Sequence, residues 1–230
     1  MYVERASRLP HVVAWRSTEQ AGGRIVRVLP DGCLDVIWRD GTLFVAGPDT
    51  SAQVGWSDGG SRLAALRFAA GTGPTVLGVP ADDLIDRRVP LADLWPGAEV
   101  RRLADRIADA ADPTVALEDA VLPRWRDPDP TMVAVEARAR AGLRVGAIAD
   151  GCGLSARQLQ RRCRVTFGYG PKTLARILRL QRAVALARRG DAFADVSVAS
   201  GYADQAHLSR EVRELAGVPL TELVRPVRRP

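Results

Sequence analysis

Cysteine, histidine and long apolar runs are all scarce in this 230-residue sequence, and each shortage removes a class of function. Three cysteines occur, Cys33, Cys152 and Cys163. The number is odd and no pair has CxxC spacing, so neither a disulfide framework nor a zinc site is indicated. His11 and His207 are the two histidines. A cupin-type metal site needs several histidines and carboxylates, so no metal and no other cofactor is expected. No apolar stretch approaches the roughly 20 residues of a membrane helix. The opening Met1-Tyr2-Val3-Glu4-Arg5 lacks the apolar core of a signal peptide, and a cytoplasmic protein without membrane contact is expected. No Gly-rich phosphate loop, nucleophile elbow or catalytic triad is visible, so an enzyme is not expected.

What is present is charge of unequal sign in the two halves. Residues 131–230 carry a net +10 and residues 1–130 a net −4. That asymmetry suits one polyanion-binding domain joined to a domain with another task, although a solvated helical surface would produce the same count. With 47% hydrophobic residues, the chain has enough apolar material for one large domain or two modest ones.

The pattern changes along the chain. Residues 24–68 read as strands: 25–29, 33–38, 42–46 and 62–68. Arg39-Asp40-Gly41 is a hairpin signal between the second and third. Residues 71–95 read as irregular, with a short helix near 74–77. Residues 99–111 switch to helical period, with Val100, Leu103 and Ile107 on one face. That face is expected to pack between domains or between protomers. A second helix is expected within 114–125, and Pro128-Asp129-Pro130 then breaks the pattern. The division is a β-rich sensor or dimerisation domain at 1–127, with a helical end near 99–125, followed by a helical domain at 131–230.

Two stretches in the second half read alike. One runs from Ile148 to Arg164 and the other from Val196 to Arg213. Each is a short apolar helix, a glycine turn, a polar cap and an Arg-rich second helix, the pattern of a helix-turn-helix. In the first, Leu159, Cys163, Thr166 and Phe167 share a core face, while Arg157, Gln160, Arg161 and Arg164 share another. Ser155 with Gln158 forms a capping box. In the second, Leu208, Val212 and Leu215 are the buried row and Asp204 is the cap. Gln205, Ala206, Ser209, Arg210 and Arg213 face outward. His207 reads equally well as a plain surface residue or as a DNA contact. Arginine suits guanine edges and phosphates, and glutamine suits adenine. Between the two lies one long helix, 172–188, with Leu174, Ile177, Leu178, Val184 and Ala185 as its apolar stripe.

Residues 131–230 resemble the DNA-binding domain of the AraC/XylS family of bacterial transcription regulators. The resemblance is carried by Ile148-Ala149, Gly153-Leu154-Ser155, Arg157, Leu159 and Arg161, by Gly168 and Pro171, and by Gly201-Tyr202 with Asp204-Gln205 and His207-Leu208-Ser209-Arg210. It implies seven helices, two helix-turn-helix units and a shared long helix. By position it implies that Arg157, Gln160, Arg161, Gln205, His207, Ser209 and Arg210 read bases, and that Arg164 and Arg213 hold phosphates. Cys163 and Val212 depart from it, standing where an aromatic is common.

The first half is less legible. The stretches 29–38 and 82–95 resemble N-terminal domains of one subgroup of these regulators, and such domains in the wider family are often barrel-like effector-binding or dimerisation modules. The whole is therefore expected to be an α+β protein: a β-rich, barrel-like domain followed by an all-α domain. Trp15, Trp38 and Trp56 are candidates for lining an effector pocket, against the plainer reading that they are ordinary core. Asp31, Cys33 and Asp35 are read as shaping a hairpin. The expected partners are double-stranded DNA, a small-molecule effector, a second copy of the chain and, for an activator, RNA polymerase. The rival readings are a regulator whose first half only dimerises, and a small-molecule enzyme with a basic tail.

Overall fold

The computed structural model describes residues 2–18, 22–57 and 59–225. Its first half is built on strands β1 (Tyr2–Ala6), β2 (Val12–Thr18), β3 (Arg24–Val28), β4 (Leu34–Arg39), β5 (Thr42–Ala46), β6 (Gln53–Ser57), β7 (Arg62–Phe68) and β8 (Arg88–Pro90). Six form one antiparallel sheet in the order β1-β2-β7-β4-β5-β8, and β3 with β6 forms a separate ribbon. These are two open sheets, so the strands approach a barrel without closing one. The β4–β5 hairpin turns at Asp40-Gly41, which have φ of 46° and 90°. Positive φ at both positions is what a two-residue hairpin turn requires. The Asp40 carboxylate also accepts the Arg62 N–H at 2.9 Å, tying the turn to β7.

Alternation along the strands sets two unlike faces, because successive side chains point to opposite sides of a sheet. Val36 and Trp38 of β4, Val45 of β5, and Leu66 and Phe68 of β7 are buried on one face. Three helices contribute to that core: α1 (Gly73–Leu77), α2 (Gly97–Asp109) and α3 (Pro113–Val121). Asp35, Ile37, Phe44, Leu63 and Arg67 lie on the other face, toward the ribbon. The α2 face corrects the expectation from sequence. Val100, Leu103 and Ile107 are buried in the core of their own half, with Leu103 2% exposed. An amphipathic stripe on a terminal helix satisfies itself on the nearest apolar surface, which here is the sheet and α3.

The second half consists, among the described residues, of seven helices: α4 (Pro130–Arg140), α5 (Val145–Gly151), α6 (Ala156–Phe167), α7 (Pro171–Arg188), α8 (Phe193–Ser200), α9 (Gln205–Ala216) and α10 (Leu220–Leu223). Proline at the first position of α7 loses no needed N–H and presets φ. The 18 residues of α7 reach about 27 Å. Its first half, with Leu174, Ile177 and Leu178, belongs to a core shared with α4–α6, and its second half, with Leu180, Ala183, Val184 and Ala187, to a core shared with α8–α10. Ala185, expected in the stripe, is exposed, and Leu180 takes the buried place. A stripe serving two cores rotates along the helix, so one fixed face does not describe it.

Candidate nucleic-acid interface and sensor cavity

The polar cap of α6 is built as the residues require. The Ser155 hydroxyl accepts the Gln158 N–H at 3.2 Å, and the Gln158 side chain accepts the Ser155 N–H at 2.8 Å. Two of the donors that a helix start leaves open are thereby satisfied. Leu159, Cys163 and Phe167 are buried, and Thr166 is half-buried. Burial pushes the Cys163 thiol up to about 12, so it stays protonated and acts as a small apolar plug. Arg157, Gln160, Arg161 and Arg164 are all exposed. Arg164 stands 3.6 Å from Asp82 of the first half. The Gln160 amide packs against Gly170, where a Cβ would stand 2.5 Å from its nitrogen.

α9 starts on Asp204, whose carboxylate accepts the His207 N–H at 2.6 Å. Leu208, Val212 and Leu215 are buried, while Gln205, Ser209, Arg210 and Arg213 are exposed. His207 is half-buried and engaged within its own unit. Its Nδ1 accepts the Ala203 N–H at 3.3 Å, its Nε2 lies 3.8 Å from Glu211, and its ring stands edge-on to Tyr202 at 5.2 Å.

Sequence reasoning missed the group that orients α9. Glu211 is buried, and its carboxylate accepts from Arg176 at 3.1 Å and from Arg179 at 2.7 Å. Arg176 also reaches Glu214 at 2.8 Å, and the Arg179 guanidinium lies over the Tyr202 ring at 4.7 Å. The available signal was Glu211 itself, a carboxylate three residues from Leu208 and four from Leu215, hence on the buried row.

Between the large sheet and the β3–β6 ribbon lies a cavity of about 560 Å³. Trp15 and Trp56 line it with Phe44, Ile37 and Arg67. Trp38, the third candidate, is on the opposite face and buried in the core. On the cavity side, the Asp35 carboxylate accepts from Trp15 Nε1 at 2.8 Å and from Arg67 at 3.3 Å. Burial pushes the Asp35 carboxyl up, against the pull of Arg67 and Trp15. A second pair, Arg88 with Asp49, is bidentate at 2.8 and 2.9 Å. Asp31 accepts the Cys33 N–H at 2.8 Å, which shapes the turn into β4. Burial raises the Cys33 thiol well above its ordinary range, so it is a neutral group of the cavity wall. Among the described residues no cluster of three or more His, Cys, Asp or Glu is placed to hold a metal. No described helix is long and apolar enough to cross a membrane.

Comparison with known proteins places both halves. A helix-turn-helix domain family matches residues 148–225, over the two units just described. Residues 148–225 carry a helix-turn-helix domain of the AraC type. A domain of unknown function, DUF6597, matches residues 8–90. Among solved structures, the chain is similar to a transcriptional regulator with an AraC-type DNA-binding domain from Chromobacterium violaceum, at 25% identity and TM-score 0.39, covering 41% of this chain and 89% of that one. It is similar to a probable AraC family regulator from Rhodopseudomonas palustris, at 21% identity and TM-score 0.38, covering 44% and 100%. It is also similar to ToxT of Vibrio cholerae with a bound unsaturated fatty acid, at 11% identity and TM-score 0.47, covering 93% and 94%. No curated protein matches the chain.

The strand-rich half touches both helix-turn-helix units. Gly168 ends α6 with φ of 89°, and a Cβ there would stand 2.9 Å from Pro48 and 3.0 Å from Ile85. Ala70 packs into the core of the first unit and Leu29 into that of the second.

Proposed function

We propose that this regulator reads duplex DNA through the outer faces of α6 and α9, and that a small molecule in the sheet cavity modulates the reading. The observation that carries the first part is the pairing of two capped helices, each with a buried apolar row and an outer row of Arg and Gln, to which α9 adds Ser209. In the first unit Arg157, Gln160 and Arg161 are the base readers and Arg164 holds phosphate. In the second, Gln205, Ser209 and Arg210 face outward as base readers and Arg213 holds phosphate. His207 contributes by setting the start of α9 and, from its half-exposed edge, to the contact itself. Arginine and glutamine recognise base edges by bidentate hydrogen bonds, and the net +10 of residues 131–230 supplies the phosphate attraction.

The cavity supports the second part. It has aromatic and aliphatic walls with a few converging polar groups, the usual make-up of a small-molecule site. It suits a compact molecule with an apolar ring system and one polar group to meet Arg67 and Asp35. Trp15 and Trp56 are its reporters.

A second reading has its own observation. On the ribbon and at the rim of the cavity Ile25 is 68% exposed, Trp56 64% and Val54 54%. An apolar patch of that kind favours pairing of two copies through the first half. Selection of bound duplexes from a random-sequence library, followed by titration with and without candidate ligands, tests the main reading. One enriched motif whose affinity shifts with ligand supports it, and an enriched motif that never responds while the chain is dimeric supports the second.

A further inference from the structure

We propose that the strand-rich half is a splint fixing the spacing and twist of the two reading helices, held through Arg27, Ala52 and Gln181. This rests on the DNA-reading function above. Within the helical half α7 is the covalent link between the units, and the second unit is also braced to it through Glu211. The first half adds two short bridges that reach both units.

The first bridge is 48–52. Pro48 stands against Gly168 at the end of α6. Four residues on, the Ala52 N–H donates to the Leu215 carbonyl at 2.7 Å. The second bridge is 27–32. Arg27 Nη1 donates to the Ala216 carbonyl at 2.8 Å, and the Pro30 carbonyl accepts from Gln181 Nε2 of α7 at 2.7 Å. Gly32 stands over the Tyr169 hydroxyl just after α6, where a Cβ would be 3.4 Å from that oxygen. Leu215 and Ala216 are in the last turn of α9, where helix carbonyls lack an intrahelical partner. The strand-rich half therefore occupies acceptors that would otherwise face water. Each bridge spans five or six residues, about 20 Å at full extension, and has little slack.

The same bridges border the cavity. Leu29, Asp31 and Asp49 line it. A molecule bound there acts on the joint between the reading helices, not on a remote surface.

The expected property is intolerance to operator spacing. Inserting one base pair between two half-sites moves one by about 3.4 Å and about 35°. A splinted pair cannot follow that change, whereas a pair joined through α7 alone has more freedom. The test uses the full chain and a duplex it selects from a random-sequence library, then variants of that duplex with one to five base pairs inserted between the protected elements. The wild type is expected to lose about tenfold or more in affinity at the first insertion. The double substitution Arg27→Ala with Gln181→Ala is expected to lose less than about threefold there, while keeping the wild-type circular dichroism spectrum. If that double substitution does not fold, Arg27→Gln alone carries the same expectation. Equal spacing profiles for wild type and variant overturn the splint, as does a wild type that tolerates every insertion. Failure to enrich any sequence is a different result and overturns the DNA-reading function instead.

Discussion

Glu118 is 1% exposed on its side chain, yet it remains a carboxylate. Burial raises its pKa, but hydrogen bonds from Arg5, Ser7 and both the backbone and side chain of Arg8 outweigh burial and hold it at about 2. A folded-state pKa below the unfolded value contributes stability at neutral pH that is lost as pH falls through the window from about 4.5 to 2. The shift corresponds to on the order of 3 kcal/mol. Urea denaturation should therefore show stability falling across that window, and Glu118→Gln should lose about 3 kcal/mol at pH 7 and flatten the acid limb. At the reading surface, Arg161→Ala should cost about 1–3 kcal/mol at the preferred site and relax base choice at one position. Arg164→Ala should weaken binding to every sequence alike and reduce the salt slope by about one. Binding isotherms over several duplexes and salts separate the two. A change of preferred sequence on Arg164→Ala would reverse the assignment of the α6 face.

At the scale of elements, α6 was the most legible part. Its cap, buried row and outer row are each fixed by local spacing, and Ser155→Ala should cost about 1 kcal/mol of stability through the lost cap. The β4–β5 hairpin was legible for the same reason, since Asp40-Gly41 determines its turn locally. β1, β2, β6 and β8 were not found. β1 has no buried residue and β8 is three residues long, so neither carries an alternating signal. β6 is largely exposed and holds its place by pairing with β3. The partner of the α2 face is not legible, because a periodic stripe says that a face is buried, not what covers it. Its burial within the first half changes the outcome expected of Leu103→Glu. A charge placed at a 2% exposed position should unfold the strand-rich half, lowering its melting transition, without first altering the mass of a folded particle. Composition alone groups Trp38 with Trp15 and Trp56. Strand parity separates them, because Trp38 falls on the even, core-facing positions of β4 and Trp15 on the cavity side of β2. The bracing by Glu211, Arg176 and Arg179 lay beyond the sequence because it joins residues more than 30 positions apart.

The whole molecule is a basic helical half held against a mildly acidic strand-rich half, and the two meet at the ends of the reading helices. The sequence showed the charge division and the repeated unit but not the contacts between halves, which depend on tertiary placement of Arg27, Pro48 and Ala52. Affinity for duplex DNA should fall steeply between about 50 and 200 mM salt as arginine–phosphate contacts release counterions. The central claim is that one chain reads DNA at two places, through α6 and through α9. Base-resolution interference footprinting on the selected duplex tests it most directly, with wild type, Arg161→Ala and Arg210→Ala compared. The account predicts two contacted major-groove elements about one helical turn apart. One should be lost with Arg161→Ala and the other with Arg210→Ala. A single contacted element, or loss of the same element in both variants, would contradict it.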